Sequence, residues 1–435
     1  MWWKENTVRK NARSEVTHFC VLADQALVSG SNFVLGVVLA RSLEVSTLGR
    51  YWLLMFILFF IMGLQQAAIG SPLLSIGPLQ RRFTRRAYVS IVAVHELLFC
   101  GGCAAVMLFV AALGDPLVHL GFPVVIAFVL SSALYQLQDF ARRCLFFLGN
   151  PMLAFAGDAV SYLGQTLILL RLAQSRRLDL PAVFWVSALT SAFALLIALH
   201  TVPLPQLRPA AIRSVWARHW ATSRFLLGGS ILQWISRNLF SFAAPIWLGA
   251  SAVGILRASY SVVGATNVWS LGLENSLPTE ASTRYLREGD SGLRRYVTRS
   301  TAILLGGTGL LAAALSWKAH FILALLYGAR FSAYEYVLRS YALLVVLTIA
   351  PIPFQAGLRA RENTRPTFLA YSAATFLTVV LSPVLPRFFG LRGVLGGMLL
   401  VQTLYDAILI GSFLTHNNPD QRGIPLPIRD LVSAS

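Results

Sequence analysis

Apolar residues run along this chain in stretches of about twenty, separated by short polar gaps. Twelve stretches can be marked, at 17–40, 48–70, 87–113, 116–137, 152–170, 181–202, 225–248, 253–275, 297–317, 338–358, 366–386 and 393–414. A bilayer core about 30 Å thick is crossed by about twenty helical residues. Open sheets would leave edge amides unpaired in lipid, and barrel strands would read as alternating segments of about ten residues. The expected fold is an all-α polytopic membrane protein with twelve transmembrane helices.

Charge sets the orientation. Of the 36 Lys and Arg, with those in the first three residues of a stretch counted in the adjoining gap, 24 fall in alternate gaps that begin with the amino terminus, 10 fall in the other gaps, and two, Arg237 and Arg257, fall deeper inside stretches. Basic residues concentrate on the cytoplasmic side, so both termini are expected there. The composition agrees: 56% hydrophobic and 12% charged residues, with a mean hydropathy of +0.65, lie far from a soluble domain. The net charge of +18 is explained by this topology and by anionic inner-leaflet lipids, so membrane lipids are expected partners and nucleic acid is not.

The chain also excludes chemistries. Its three lysines, Lys4, Lys10 and Lys318, complete no phosphate-binding G-x-x-x-x-G-K-[ST] loop, and neither a G-x-S-x-G elbow nor an H-E-x-x-H pair occurs. No enzyme, cofactor or metal site is expected, and any uphill work must draw on an ion gradient or on the substrate itself. Cys100-Gly-Gly-Cys103 has a CxxC spacing, but on an apolar helix it reads as small residues for close packing.

Self-similarity divides the chain. Leu43 to Gly49 (LEVSTLG) recurs as Leu248 to Gly254 (LGASAVG), 205 positions later; Pro72 matches Pro278, Leu120-Gly121 matches Tyr327-Gly328, and Asn150-Pro151 matches Arg365-Pro366. Duplicating a six-span unit gives parallel repeats about an axis along the membrane normal, and transporters built so place their substrate path between the halves. The expected organisation is a cytoplasmic segment 1–16, an N-lobe 17–202, a cytoplasmic linker 203–224, a C-lobe 225–414 and a cytoplasmic tail 415–435.

Apart from arginines in the first three residues of a stretch, seven charges lie inside the stretches: Asp24, Glu96, Asp158, Arg237, Arg257, Glu274 and Asp406. Each costs about 2.5–3.5 kcal/mol at the bilayer centre. Seven facing lipid would cost on the order of 20 kcal/mol, more than the roughly 5–15 kcal/mol by which proteins are stable. They must face water or one another. Helical spacing groups Gln25, Ser29, Asn32 and Gly36 on the first span, Gln233, Arg237 and Ser241 on the seventh, and Tyr260, Asn267 and Glu274 on the eighth. By depth, the acids fall in the cytoplasmic half, while Arg237, Arg257, Arg41 and Arg50 fall at the midplane or beyond. The expected crevice is acidic below and cationic above. Its cationic part, Arg237 and Arg257 with Arg41 or Arg50, suits a phosphate-bearing headgroup, since the guanidinium fork donates paired hydrogen bonds. Gln65, Gln66 and Asn238 are further candidates to line it, and Asp24, Glu96, Asp158, Glu274 and Asp406 are candidates for ion coupling, with Asp24 or Glu96 carrying a proton.

The run Asp24 to Gly36 (DQALVSGSNFVLG), Leu39-Ala-Arg41-Ser-Leu and Leu48-Gly49 resembles the opening of polysaccharide-export proteins, and Leu325-Leu-Tyr-Gly328 through Tyr334 and Leu338 resembles their second half. These are O-antigen and lipid-linked oligosaccharide flippases of the multidrug/oligosaccharidyl-lipid/polysaccharide exporter (MOP) superfamily. The resemblance implies a two-lobed bundle in the bacterial inner membrane that moves an undecaprenyl-diphosphate-linked glycan to the outer leaflet. It also implies that a polysaccharide polymerase and glycosyltransferases act beside it. A cation-coupled multidrug antiporter is the alternative, with an envelope-glycan enzyme behind it.

Overall fold

The computed structural model describes residues 23–24, 26–79, 83–113, 121–264, 267–363 and 365–415; the side chains of 222, 267–276 and 279 are left aside. The described chain is all helical. In chain order the principal helices are α1 (Ala26–Ser42), α2 (Val45–Ser75), α3 (Arg85–Ala112), α4 (Phe122–Leu148), α5 (Pro151–Gln174) and α6 (Leu180–Leu199). They continue with α7 (Pro209–Ala243), α8 (Ala250–Gly264), α9 (Asn267–Trp317), α10 (Ala319–Tyr327), α11 (Glu335–Ala360), α12 (Arg365–Leu381) and α13 (Leu385–Thr415). Among the described residues eight helices are both long and apolar enough to cross a bilayer; α1 and α12 are apolar but shorter. Two other expected spans fall on α7 and α8. The 35 residues of α7 would extend about 50 Å at 1.5 Å each, beyond a bilayer core, and the 15 residues of α8 end at Gly264.

Local chemistry fixes the helix boundaries. Thr84 and Asp179 cap α3 and α6 by accepting from Ala87 N (3.2 Å) and Ala182 N (2.9 Å), which satisfies otherwise orphaned first-turn amides. After α4, Gly149 takes φ +83° while Gly149 N and Asn150 N donate to Phe146 O (3.1 Å) and Leu145 O (2.8 Å). That paired closure needs a left-handed residue, and Pro151 then starts α5. Glycine at φ +69° likewise breaks α9 at Gly289. Two π-turns interrupt the spans, Gln66–Gly70 in α2 and Ala159–Leu163 in α5.

The largest apolar cluster draws on both halves of the chain, from Leu35, Leu48 and Phe184 to Leu338, Val394 and Leu409. A second, around Tyr88, Ile91 and Cys144, joins α3 and α4 to the π-turn of α2 and the start of α7. The halves meet closely where α2 crosses α8. A Cβ on Gly49 would stand 1.7 Å from Ala250 O, and one on Gly254 would stand 2.8 Å from Val45 O. Val45 and Gly49 are the positions that the duplicated motif equates with Ala250 and Gly254, so the two contacts are one contact made twice with roles exchanged, as a twofold relation demands.

Other glycines of the helices divide. Gly393 and Gly397 are crowded, by Leu385 O (2.1 Å) and Phe240 (2.3 Å); Gly30, Gly36, Gly101, Gly102, Gly306, Gly307, Gly309 and Gly396 have nothing within 4 Å of a would-be Cβ. Cys100-Gly-Gly-Cys103 is thus no packing motif: its glycines are exposed, and Cys100 has a polar partner described below.

Candidate functional site

Arg142 joins two of the expected buried acids. Its guanidinium binds Asp24 beside α1 and lies 2.5 Å from Asp158 Oδ2 in α5; the acid side chains are 1% and 3% exposed, that of Arg142 22%. Gln138, one turn earlier on α4, donates to Asp158 Oδ1 (3.3 Å), Ser161 in the α5 π-turn donates to Gln138 Oε1 (2.9 Å), and the Tyr135 and Tyr162 hydroxyls are 2.7 Å apart. The expected fourth span, 116–137, leaves Arg142 in the gap that follows it. The helix continues to Leu148, and the run Cys144-Leu-Phe-Phe-Leu148 was the legible signal. A cation held between two carboxylates is a strut as well as a topology signal.

Glu96 occupies a separate network. It is fully buried on α3, and its Oε1 accepts from Gln65 Nε2 on α2 (2.7 Å) and from Cys100 Sγ (3.2 Å). The same Gln65 amide donates to Gln136 O on α4 (2.9 Å), and Gln136 donates to Ser132 O (3.1 Å). Glu96 Oε2 and Gln65 Oε1 are buried without a hydrogen-bond partner. Among the described residues no basic side chain pairs with Glu96; Arg143, on the adjoining face of α4, is held by Asp139 at 2.6 and 3.2 Å. Gln66 turns away toward Ser71 Oγ (3.3 Å). In the second half Asp406 is buried on α13 and accepts from Gln402 of its own helix (2.7 Å).

The arginines are arranged otherwise. Arg257 on α8 sits among rings, its guanidinium carbon 4.5 Å from the centroid of Phe56, 4.8 Å from Trp52, 5.3 Å from Tyr260 and 5.9 Å from Phe59. Among the described residues no carboxylate forms a salt bridge with it, and its Nε is buried without a hydrogen-bond partner. Arg41 at the end of α1 donates from Nε to Leu326 O of α10 (2.8 Å) and from the guanidinium to Leu325 O. Arg330, just past α10, returns the arrangement by donating to Leu43 O (2.7 Å) and Ala40 O. Each arginine thus binds the carbonyl end of the other's segment, where helix dipoles favour cations. This latch was not foreseen: Arg41 was expected to face a headgroup, and Arg330 had no assigned role.

The remaining candidates are scattered. Asn32 on α1 and Gln233 and Arg237 on α7 are exposed, Arg50 is half-buried beside Gly49, and Asn238 donates back to Trp234 O (3.1 Å). Gln25 and the side chains of Asn267 and Glu274 lie outside the described residues.

The sequence matches no protein-family model and no curated protein. Its fold, however, is shared with solved transporters. The lipid II flippase MurJ in an inward closed conformation superposes with a TM-score of 0.69 at 14% identity, over 92% of this chain and 87% of that one. The inward-facing form of a MATE-family multidrug resistance transporter of the MOP superfamily gives 0.66 at 14% identity, covering 90% and 93%. An outward-facing form of such a transporter gives 0.58 at 13%, covering 93% and 94%. The chain therefore shares its fold with a lipid II flippase and with multidrug resistance transporters of the MOP superfamily.

Proposed function

We propose that this chain is a secondary transporter of the bacterial inner membrane that flips an undecaprenyl-diphosphate-linked oligosaccharide from the cytoplasmic to the periplasmic leaflet. The lobes are 17–202 and 225–414, joined by the cytoplasmic linker 203–224, and they rock about the α2–α8 crossing. The end closed by Arg41 and Arg330 faces the periplasm. The better superposition on the inward-facing than on the outward-facing MATE form supports a closed outer end.

The observation that carries the reading is Arg257. It lies between α2 and α8, caged by rings and without a carboxylate partner among the described residues, while Asp24 and Asp158 are tied to Arg142. An arginine with no acid partner among the described residues suits a diphosphate, whereas a lipophilic cation would need a free acid there. Arg237 and Gln233, exposed on α7, extend the polar face toward the glycan. The pathway's glycosyltransferases and polymerase would act before and after the flip.

The test is flipping of a fluorescent lipid-linked oligosaccharide in liposomes that contain only this protein. Arg257→Gln should abolish the rate and Arg257→Lys retain part of it. An undiminished rate in folded Arg257→Gln, or ethidium efflux in place of lipid flipping, overturns the proposal.

A further inference from the structure

Glu96, unlike the Arg142-paired Asp24 and Asp158, has no cation paired with its carboxyl among the described residues. Its carboxyl is 0% exposed, with two donors on Oε1, the Gln65 amide and the Cys100 thiol, and none on Oε2. An isolated carboxylate in such a place costs several kcal/mol after relaxation, and ionisable groups so placed neutralise instead. The surroundings offer no relief. Of the polar and titratable groups described around it, α2 contributes Gln65, α3 Cys100 and Cys103, and α4 Gln136, Cys144, Asp139 and Arg143. Its cation, Arg143, is engaged by Asp139. Gln65 and Cys100 donate to one oxygen only, so the other is free to carry a hydrogen.

We propose that Glu96 is a proton-binding site, loaded on Oε2 in this conformation, and that it is this site rather than the Arg142-locked Asp24 that takes up and releases the coupling proton. The step is one of binding alone: a proton arrives from water and the carboxylate becomes a carboxylic acid. Its release has a mechanical consequence. Gln65 immediately precedes the π-turn Gln66–Gly70, a Cβ on Gly70 would meet Arg143 Cδ at 3.2 Å, and π-turns inside helices often mark functional sites. Loss of the proton leaves a bare charge whose nearest cation is Arg143, so Arg143 is drawn from Asp139 and away from the π-turn against which it packs. The bend of α2, the helix that crosses α8, is thereby tied to the charge on Glu96. Only this coupling role rests on the transport reading; the proton site itself does not.

Infrared spectroscopy of the full chain in detergent tests it. The difference between wild type and Glu96→Gln at neutral pH should contain one protonated-carboxyl C=O band, unchanged in Asp24→Asn. Cys100→Ala should shift that band by removing a hydrogen bond, and Cys103→Ala should leave it in place. The Cys100 pair keeps the test open if Glu96→Gln does not fold. No such band in the difference, or a band that sodium titrates away at fixed pH, overturns the proposal; the latter would make the site a metal-cation site. A liposome assay that shows no flipping while the band behaves as expected removes the transport reading alone. A missing band with intact flipping removes the proton site alone.

Discussion

The latch end and the interior between α3, α4 and α5 hold charge in opposite ways. At the latch, Arg41 and Arg330 are held by backbone carbonyls, and on α8 Arg257 is held by aromatic faces. In the interior, acids are held by an arginine strut in one place and by neutral donors in another. Carbonyls and rings bind a cation without neutralising it, so the latch end keeps a positive potential that an anionic headgroup can use, and the contacts break without creating a bare buried carboxylate. The strut has the opposite property: removing Arg142 leaves two buried acids uncompensated. On the proposed function, one region opens and the other stays.

The largest test of that contrast is therefore Arg142→Ala, expected to destabilise the chain by about 3–5 kcal/mol in denaturant titration, with Asp24→Asn and Asp158→Asn added to it restoring most of the loss. If the single variant is as stable as wild type, the strut is not structural. Arg330→Ala should act on the conformational balance instead. Losing charged hydrogen bonds worth about 1.5–3 kcal/mol each should lengthen spin-label distances across the latch while the melting midpoint moves less than for Arg142→Ala. Gly49→Ala, whose Cβ would meet Ala250 O, should cost about 1–3 kcal/mol as overpacking and push α2 from α8; Gly30→Ala, with open space around it, should not.

The smallest effect belongs to His219, on the linker portion of α7, whose Nε2 lies 2.6 Å from the Tyr88 hydroxyl. Burial, reinforced by His95 and then Arg218, lowers its pKa from 6.5 to about 4. The folded chain thus holds a neutral imidazole that the unfolded chain protonates first, so this contribution is present above pH 6.5 and is lost as the pH falls toward 4. His219→Gln should flatten that limb of the stability profile; an unaltered limb would assign it to other groups.

Much of this was legible in the sequence. Hydropathy gave the helical membrane bundle, and the cost of buried charge required Asp24 and Asp158 to find partners. The duplicated LEVSTLG and LGASAVG segments carried the two glycines at which α2 and α8 cross. What was hidden depends on tertiary register. The strut spans 118 positions from Asp24 to Arg142, and the latch joins residues 285 apart, separations at which no local spacing speaks. The π-turns leave no hydropathy signature, because they insert a residue into an unbroken apolar run. Exposed and crowded glycines look alike in a sequence, so only those in the repeat could be singled out.

The central claim is that lipid crosses only when the latch opens. Cysteines at Ser42 and Arg330, joined by a cleavable thiol crosslinker of about an arginine's reach, would tie it shut in liposomes, with each single-cysteine chain as a control. Flipping of the labelled lipid-linked oligosaccharide should stop on tethering and return when the tether is cut; an undiminished rate in the tethered protein would contradict the account.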